Sequence, residues 1–281
     1  MKIRLIDKKT LRTQLGMQVV LVVFAFVFLI PIYFVLVNSF KPYEEILTNT
    51  VSIPSSLYFE NYTYAWTVMN YPKAFVNSLL ITVFSNIGLI VISSMAAYKM
   101  VRSSSKWMKA LFIMFISAML IPFQTVMVTL VKVGSVIGIM NSYWGLIVCY
   151  FGFGLPLTVF LYHGFIKSIP REIEEAAAID GCNVYAVFWK VVFPLLKPMT
   201  VTVLLLNTLW IWNDFLLPSL ILRGKEMQTI PLAIYAFFGQ YMKQWDLALA
   251  ALVLGVIPII CFFLGLQKYI VEGITAGSVK G

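Results

Sequence analysis

Few residues in this chain could do chemistry. It has one histidine, His163, and three cysteines, Cys149, Cys182 and Cys261, which lie far apart and match no metal or redox spacing. Neither a metal site nor a Ser-His triad of known local signature is expected. A phosphate-cradling G-x-x-x-x-G-K-[ST] run is absent, and the lone Gly224-Lys225 pair is followed by Glu226. Two places remain. One is Asp214, whose neighbours Asn213, Trp210 and Trp212 combine hydrogen-bonding groups with flat apolar rings, a mixture that would suit a sugar. The competing reading is a polar contact between helices that stabilises the bend before Pro218. The other place is residues 172–181, EIEEAAAIDG, an acidic start followed by a smooth run of alanines.

The elements that must position these groups follow from composition. The 281 residues are 60% hydrophobic and only 12% charged, with mean hydropathy +0.89. Soluble domains carry about a quarter charged residues, so an ordinary soluble enzyme and a disordered chain are both excluded. An all-α membrane protein with six transmembrane helices is predicted, at Met17–Phe40, Ala74–Tyr98, Ala110–Val131, Tyr143–Ile166, Met199–Leu222 and Leu247–Leu266. The apolar run of the first is too long for a signal-peptide core, and no cleavage pattern follows it, so a retained helix is expected. Asp214 is the one formal charge in the six. It lies about 22 Å beyond Met199 at 1.5 Å per residue, in the outer half of the bilayer.

Lysines and arginines cluster in the N-terminus, in the loops after the second and fourth spans, and in the tail. Both termini are therefore predicted to be cytoplasmic, and the net charge of +9 is mostly a topology signal. Charges scattered among spans do not form a patch for nucleic acid. The predicted organisation is a cytoplasmic N-terminus over 1–16, the first helix over 17–40 and an external loop over 41–73. A core of five helices follows over 74–270, then a small, flexible cytoplasmic tail over 271–281.

The loop between spans four and five, residues 168–198, is organised. Ser168 and Pro170 can start a helix. Glu172, Glu174 and Glu175 would then sit where the helix dipole favours negative charge. Asp180-Gly181 would end it, with Gly181 in the left-handed conformation. A second amphipathic piece is expected from Val184, Val187, Phe188 and Val191, stopped by Pro194 and Pro198. A small-residue helix outside the membrane can drop into a groove on another protein; the bland alternative is a simple interfacial connector.

The order Glu175-Ala176-Ala177, three residues, Gly181, nine residues, Val191-Val192-Phe193-Pro194 resembles the EAA loop of permease subunits in ATP-binding-cassette importers, EAA-x3-G-x9-I-x-L-P. Val191 and Phe193 stand at the Ile and Leu positions, a mild departure. The runs FENYTYAWTVMNYPKAFVNSLLIT, WIWNDFLLPSL and VEGITAGSVKG resemble the carbohydrate-uptake branch, in particular the MalG-type permease of maltose transporters.

That resemblance implies a heterodimer with a second, different permease, two cytoplasmic ATPase subunits and an external solute-binding protein. ATP and Mg would be used by the partners, with no cofactor and no catalysis in this chain. It implies that Glu174, Glu175, Ala176, Ala177, Asp180, Gly181 and Pro194 couple to an ATPase, and that Gly277, Ser278, Val279 and Lys280 reach between ATPase subunits. Asp214, Asn213, Trp210 and Gln124 are candidates for the substrate pathway, with Asn86 and Asn207 as weaker polar candidates. His163 is expected at the membrane interface, and Gly134-x3-Gly138 could allow close helix contact. The EAA loop alone does not distinguish cargo, so an amino-acid or peptide importer stays open, as does an ion-coupled transporter using Asp214.

Overall fold

A computed structural model of the protein describes residues 8–238 and 244–278, with side chains over 14–238 and 244–268. Every regular element among them is helical. The chain divides into two compact units, one holding the chain up to Val68 with Ile234–Leu254, the other Met69–Ala233 with Gly255 onward.

The first unit opens with α1 (Lys8–Asn38), an apolar run whose membrane-length window is entirely unburied by the chain itself. Two short helices follow, α2 (Tyr43–Thr48) and α3 (Glu60–Val68). In the second unit α4 (Tyr71–Arg102) has Pro72 in its first turn, which the fixed φ of proline suits. Its buried face is small and polar, with Ala74, Asn77, Ser78, Ser85, Ser93, Ser94 and Ala97. Small side chains let backbones approach closely where no hydrophobic effect separates helix from lipid.

The next elements are α5 (Lys106–Ala118), α6 (Phe123–Ile137) and α7 (Tyr143–Ile166). The expected third span, Ala110–Val131, is not one helix: α5 and α6 meet at 103°. Pro122 has no N–H to continue α5 and stands as the cap of α6, while Met119 and Leu120 donate to carbonyls only three residues back. Tightening followed by a proline turns the chain. The turn into α7 is also close, since a Cβ on Gly145 would fall 1.9 Å from the Ile139 carbonyl oxygen.

Beyond α7 come α8 (Glu172–Ile179), α9 (Val184–Ala186), a π-helical turn (Val187–Val192), α10 (Phe193–Leu195) and α11 (Lys197–Trp212). The chain then forms α12 (Leu216–Ile221), α13 (Ile230–Tyr235) and α14 (Trp245–Ser278), the last with residues in both units. The expected fifth span, Met199–Leu222, is also interrupted. Helix α11 stops at Trp212 and restarts at Leu216, because the Asp214 carboxylate takes the free N–H groups of Leu216 and Leu217 at 3.0 and 3.4 Å. Four of the six expected spans are thus continuous helices of membrane length, α1, α4, α7 and α14.

Two buried clusters stiffen the second unit. One joins Ile81, Leu89, Leu146, Tyr150, Ile211 and Ile221. The other joins Ala97, Val159, Tyr162, Ile166, Val187, Phe188, Val192 and Leu196, and it underlies the loop between α7 and α11.

Candidate coupling surface

At the end of α7, Ser168 turns its hydroxyl back onto the Phe165 carbonyl at 2.8 Å and does not cap the next helix. Helix α8 begins after Arg171, which has helical dihedrals and makes no side-chain cap, so the expected start at Ser168-Pro170 is corrected by about a turn. What fixes α8 is an anchor from α4. Arg102 donates through Nε to Glu174 Oε1 at 2.8 Å and pairs through Nη2 with the same oxygen, while Tyr98 donates to Glu174 Oε2 at 2.8 Å. Arg102 Nη2 also holds the Ile169 carbonyl at 2.9 Å. The two charged side chains are only 15% and 12% exposed. An ion pair this sheltered fixes geometry, because each charge left alone would lack solvation.

Glu174 is thus occupied inside the chain, whereas Glu172, Glu175 and Asp180 face outward. Ala177 leans on the buried cluster while Ala176 and Ala178 are exposed. The helix ends as expected. Gly181 takes φ +84°, the Cys182 N–H reaches back to the Ala177 carbonyl and the Gly181 N–H to Ala178, both at 3.0 Å. Asn183 then restarts the chain, its Oδ1 accepting the Ala186 N–H at 2.9 Å.

The second amphipathic piece differs from expectation in its face. The buried residues are Val187, Phe188, Val192 and Leu196, while Val184 is 71% exposed. The π turn supplies the reason: its wider winding inserts one residue, so the inward stripe steps from 187 to 192. Pro194, in the first turn of α10, has no N–H for an α-type bond and stands just after this widened turn. The result is an outward surface of Ile173, Ile179, Val184, Tyr185 and Trp189, with Ile179 86% and Tyr185 72% exposed. These apolar side chains stand outside the buried cluster, together with the three exposed carboxylates of Glu172, Glu175 and Asp180.

The polar candidates in the apolar segments resolve into different roles. Asp214 accepts from the Tyr150 hydroxyl at 3.0 Å as well as from the two backbone N–H groups. Trp210, 40% exposed, stands edge-on to Tyr150 and lines a hollow of about 170 Å³ with Phe123, Phe153, Asp214, Leu216 and Leu217. Asn213 is exposed and folds its amide onto the Leu209 carbonyl at 2.7 Å. Trp212 turns the other way, buried, with its indole N–H toward the Gly255 carbonyl. Gln124 is exposed on α6 outside that hollow.

Asn86 and Asn207 are interhelical ties, to Thr208 at 3.1 Å and Thr158 at 3.3 Å. His163, in the last turn of α7, is buried and stacked on Phe112 with ring centroids 3.6 Å apart. Gly134 and Gly138 close α6, with Gly138 at φ +75°.

Sequence reasoning missed a third construction. Asn77 donates to the carbonyls of Glu226 and Gln228, both at 2.9 Å, and accepts from the Tyr143 hydroxyl. Asn141 Oδ1 takes the N–H groups of Arg223 and Gly224. The first half of the 223–246 segment is thereby bolted to α4 and the start of α7. The only signal was an asparagine near each helix start. At the C-terminus the expected flexible tail is helical through Gly277 and Ser278; Val279 and Lys280 lie outside the described residues.

Comparison with known proteins agrees with this architecture. A solved chain from a bacterial ABC transporter involved in the import of the acidic polysaccharide alginate superposes with TM-score 0.80. It shares 22% identity, and the match covers 95% of this chain and 99% of that one, a likeness of fold. The probable starch degradation products transport system permease AmyC of Thermoanaerobacterium thermosulfurigenes is 43% identical over 274 residues, 97% of each chain. The melibiose/raffinose/stachyose import permease MelC of Bacillus subtilis is 38% identical, over 90% of this chain and 91% of its own. The multiple sugar-binding transport system permease MsmG of Streptococcus mutans is also 38% identical, over 93% and 95%. The model of the binding-protein-dependent transport system inner membrane components matches residues 88–276, and the chain belongs to that family.

Proposed function

We propose that this protein is a permease subunit of a sugar-importing ABC transporter of the inner membrane. The observation that carries the reading is near full-length similarity to three sugar permeases, AmyC, MelC and MsmG. The transporter would comprise this chain, a second and different permease, two ATPase subunits that consume ATP and Mg, and an external solute-binding protein. This chain performs no hydrolysis and binds no cofactor in that scheme.

The coupling step follows from the anchored loop. An ATPase subunit seats on Glu175, Ala176, Ile179, Tyr185 and Trp189, with Glu175 and Asp180 meeting basic groups of the partner. Glu174 keeps its place in the internal clamp. When the ATPase closes, it moves α8 as a rigid body, because Arg102 and Tyr98 tie α8 to the end of α4. The buried cluster shared by α4, α7 and the π turn carries the displacement into the spans. The tail from Gly277 to Lys280 adds a second ATPase contact.

On the pathway, Trp210 and Phe153 offer ring faces at which a sugar's C–H surface can stack. Asp214 holds the break between α11 and α12 open beside them. Its carboxylate accepts from Tyr150, Leu216 and Leu217, and in this reading its part is to shape the path.

The test is ATP hydrolysis in liposomes by the co-purified complex with its external binding protein, across mono- and oligosaccharides, amino acids and peptides. Stimulation by one sugar class is expected. Stimulation by peptides or amino acids alone would overturn the cargo.

A further inference from the structure

Three residues at helical spacing, Tyr150, Phe153 and Gly154, share one face of α7, and each acts on Trp210 or on the space before it. Phe153 lines the hollow of about 170 Å³ with Trp210 and crosses the Phe123 ring at 5.1 Å. Gly154 makes room for the indole: a Cβ there would stand 3.3 Å from Trp210 Cζ3 and 2.8 Å from Leu89 Cδ1. Tyr150 meets the indole nearly at right angles, with ring centroids 5.4 Å apart. It is fully buried, so it acts through its neighbours rather than on a substrate.

The hydroxyl of the same residue donates to Asp214 Oδ2 at 3.0 Å, while Asp214 Oδ1 takes the Leu216 and Leu217 N–H groups. Trp210 stands in the last turn of α11, and Asp214 in the break that follows. Residues 213–215 belong to no helix, so the backbone ladder that would hold these two side chains in register is interrupted. Tyr150 bridges the interruption from outside, ring against indole and hydroxyl on carboxylate. A tyrosine has two side-chain torsions, and with both ends engaged inside a packed core neither is free to turn.

We infer that Tyr150 is a positioning residue for sugar selectivity. Its ring, with the gap at Gly154, fixes the tilt of the Trp210 indole, and its hydroxyl fixes Asp214 at the edge of the same hollow. This rests on the reading that sugars stack on Trp210 in transit. A sugar ring stacks through a face that presents C–H groups, and sugars differ in which faces carry axial hydroxyls. A flat surface held at one tilt therefore favours some of them, whereas one free to tilt adapts to more.

The test compares transport rates of single sugars into liposomes by the complete complex, each sugar saturating the external binding protein. The readout is the ratio between the fastest and the slowest sugar, which a mere loss of folded complex scales equally and leaves unmoved. Tyr150→Leu should narrow that ratio roughly two- to tenfold, the range an aromatic pair implies. Tyr150→Phe keeps the ring contact and should narrow it less. Gly154→Ala should also change it, because the indole must give way by a few tenths of an ångström. An unchanged ratio in an assembled Tyr150→Leu complex would overturn the inference; where that variant does not assemble, an unchanged ratio in Gly154→Ala would. Trp210→Ala separates this failure from that of the underlying reading: a changed ratio there leaves sugars on Trp210, whereas an unchanged one removes both.

Discussion

Arg102 and Glu174 meet across 72 residues of sequence, and that pair decides how firmly the coupling helix is held. Arg102→Ala leaves a sheltered carboxylate with Tyr98 alone, at a cost on the order of 3 kcal/mol to the local structure. Amide exchange over 172–179 should rise sharply, and sugar-stimulated hydrolysis should fall with the complex still assembled. Unchanged exchange would show that α8 is held by other means. At Gly181, φ is +84° in open space, so Gly181→Ala meets no clash and costs about 1–2 kcal/mol in backbone strain. Retention of ATPase subunits on purification should drop, more so for Gly181→Asp.

Asp214→Asn can keep an acceptor on the two N–H groups, so transport should persist at reduced stability; abolished transport in an assembled complex would revive an ion-coupled role. Gly181 was legible because an Asp-Gly pair after a helical run demands a left-handed turn. The capture of Glu174 was not, since nothing local marks Tyr98 and Arg102 as its partners.

Among elements, the continuous spans were the most legible, because long uncharged runs have few alternatives in a membrane. The interrupted ones show what hydropathy cannot see. The run through Leu120, Ile121 and Pro122 stays apolar while the chain turns by 103°, and the run through Asn213 and Asp214 hides a helix restart. Both breaks lie where a backbone donor is lost or a side chain takes its place. The π turn is subtler. It moved the buried stripe by one residue and turned Val184 and Tyr185 outward, which a strict helical spacing places otherwise. Val184→Ser with Tyr185→Ser should therefore leave the melting temperature of the isolated permease within the range of surface changes, under about 0.5 kcal/mol. The same pair should weaken ATPase retention. A large loss of stability would mean that the surface is buried within this chain.

For the whole molecule, function was more legible than detail. Low charge and long apolar runs pointed to a membrane protein, the loop's resemblance to the EAA pattern pointed to a transport subunit, and the family match and three sugar-permease relatives agree with it. The central claim is that the face from α8 to Trp189 seats an ATPase subunit, and one measurement tests it directly. With the native cysteines replaced, Ile179→Cys carries a short photoreactive cross-linker in the complex in liposomes. The account predicts a cross-link to the ATPase subunit, with efficiency that changes between nucleotide-free and ATP-bound states, and none from a control position on α1. A label at residue 179 that reaches no ATPase in any nucleotide state, in a complex that still hydrolyses ATP in response to sugar, would contradict it.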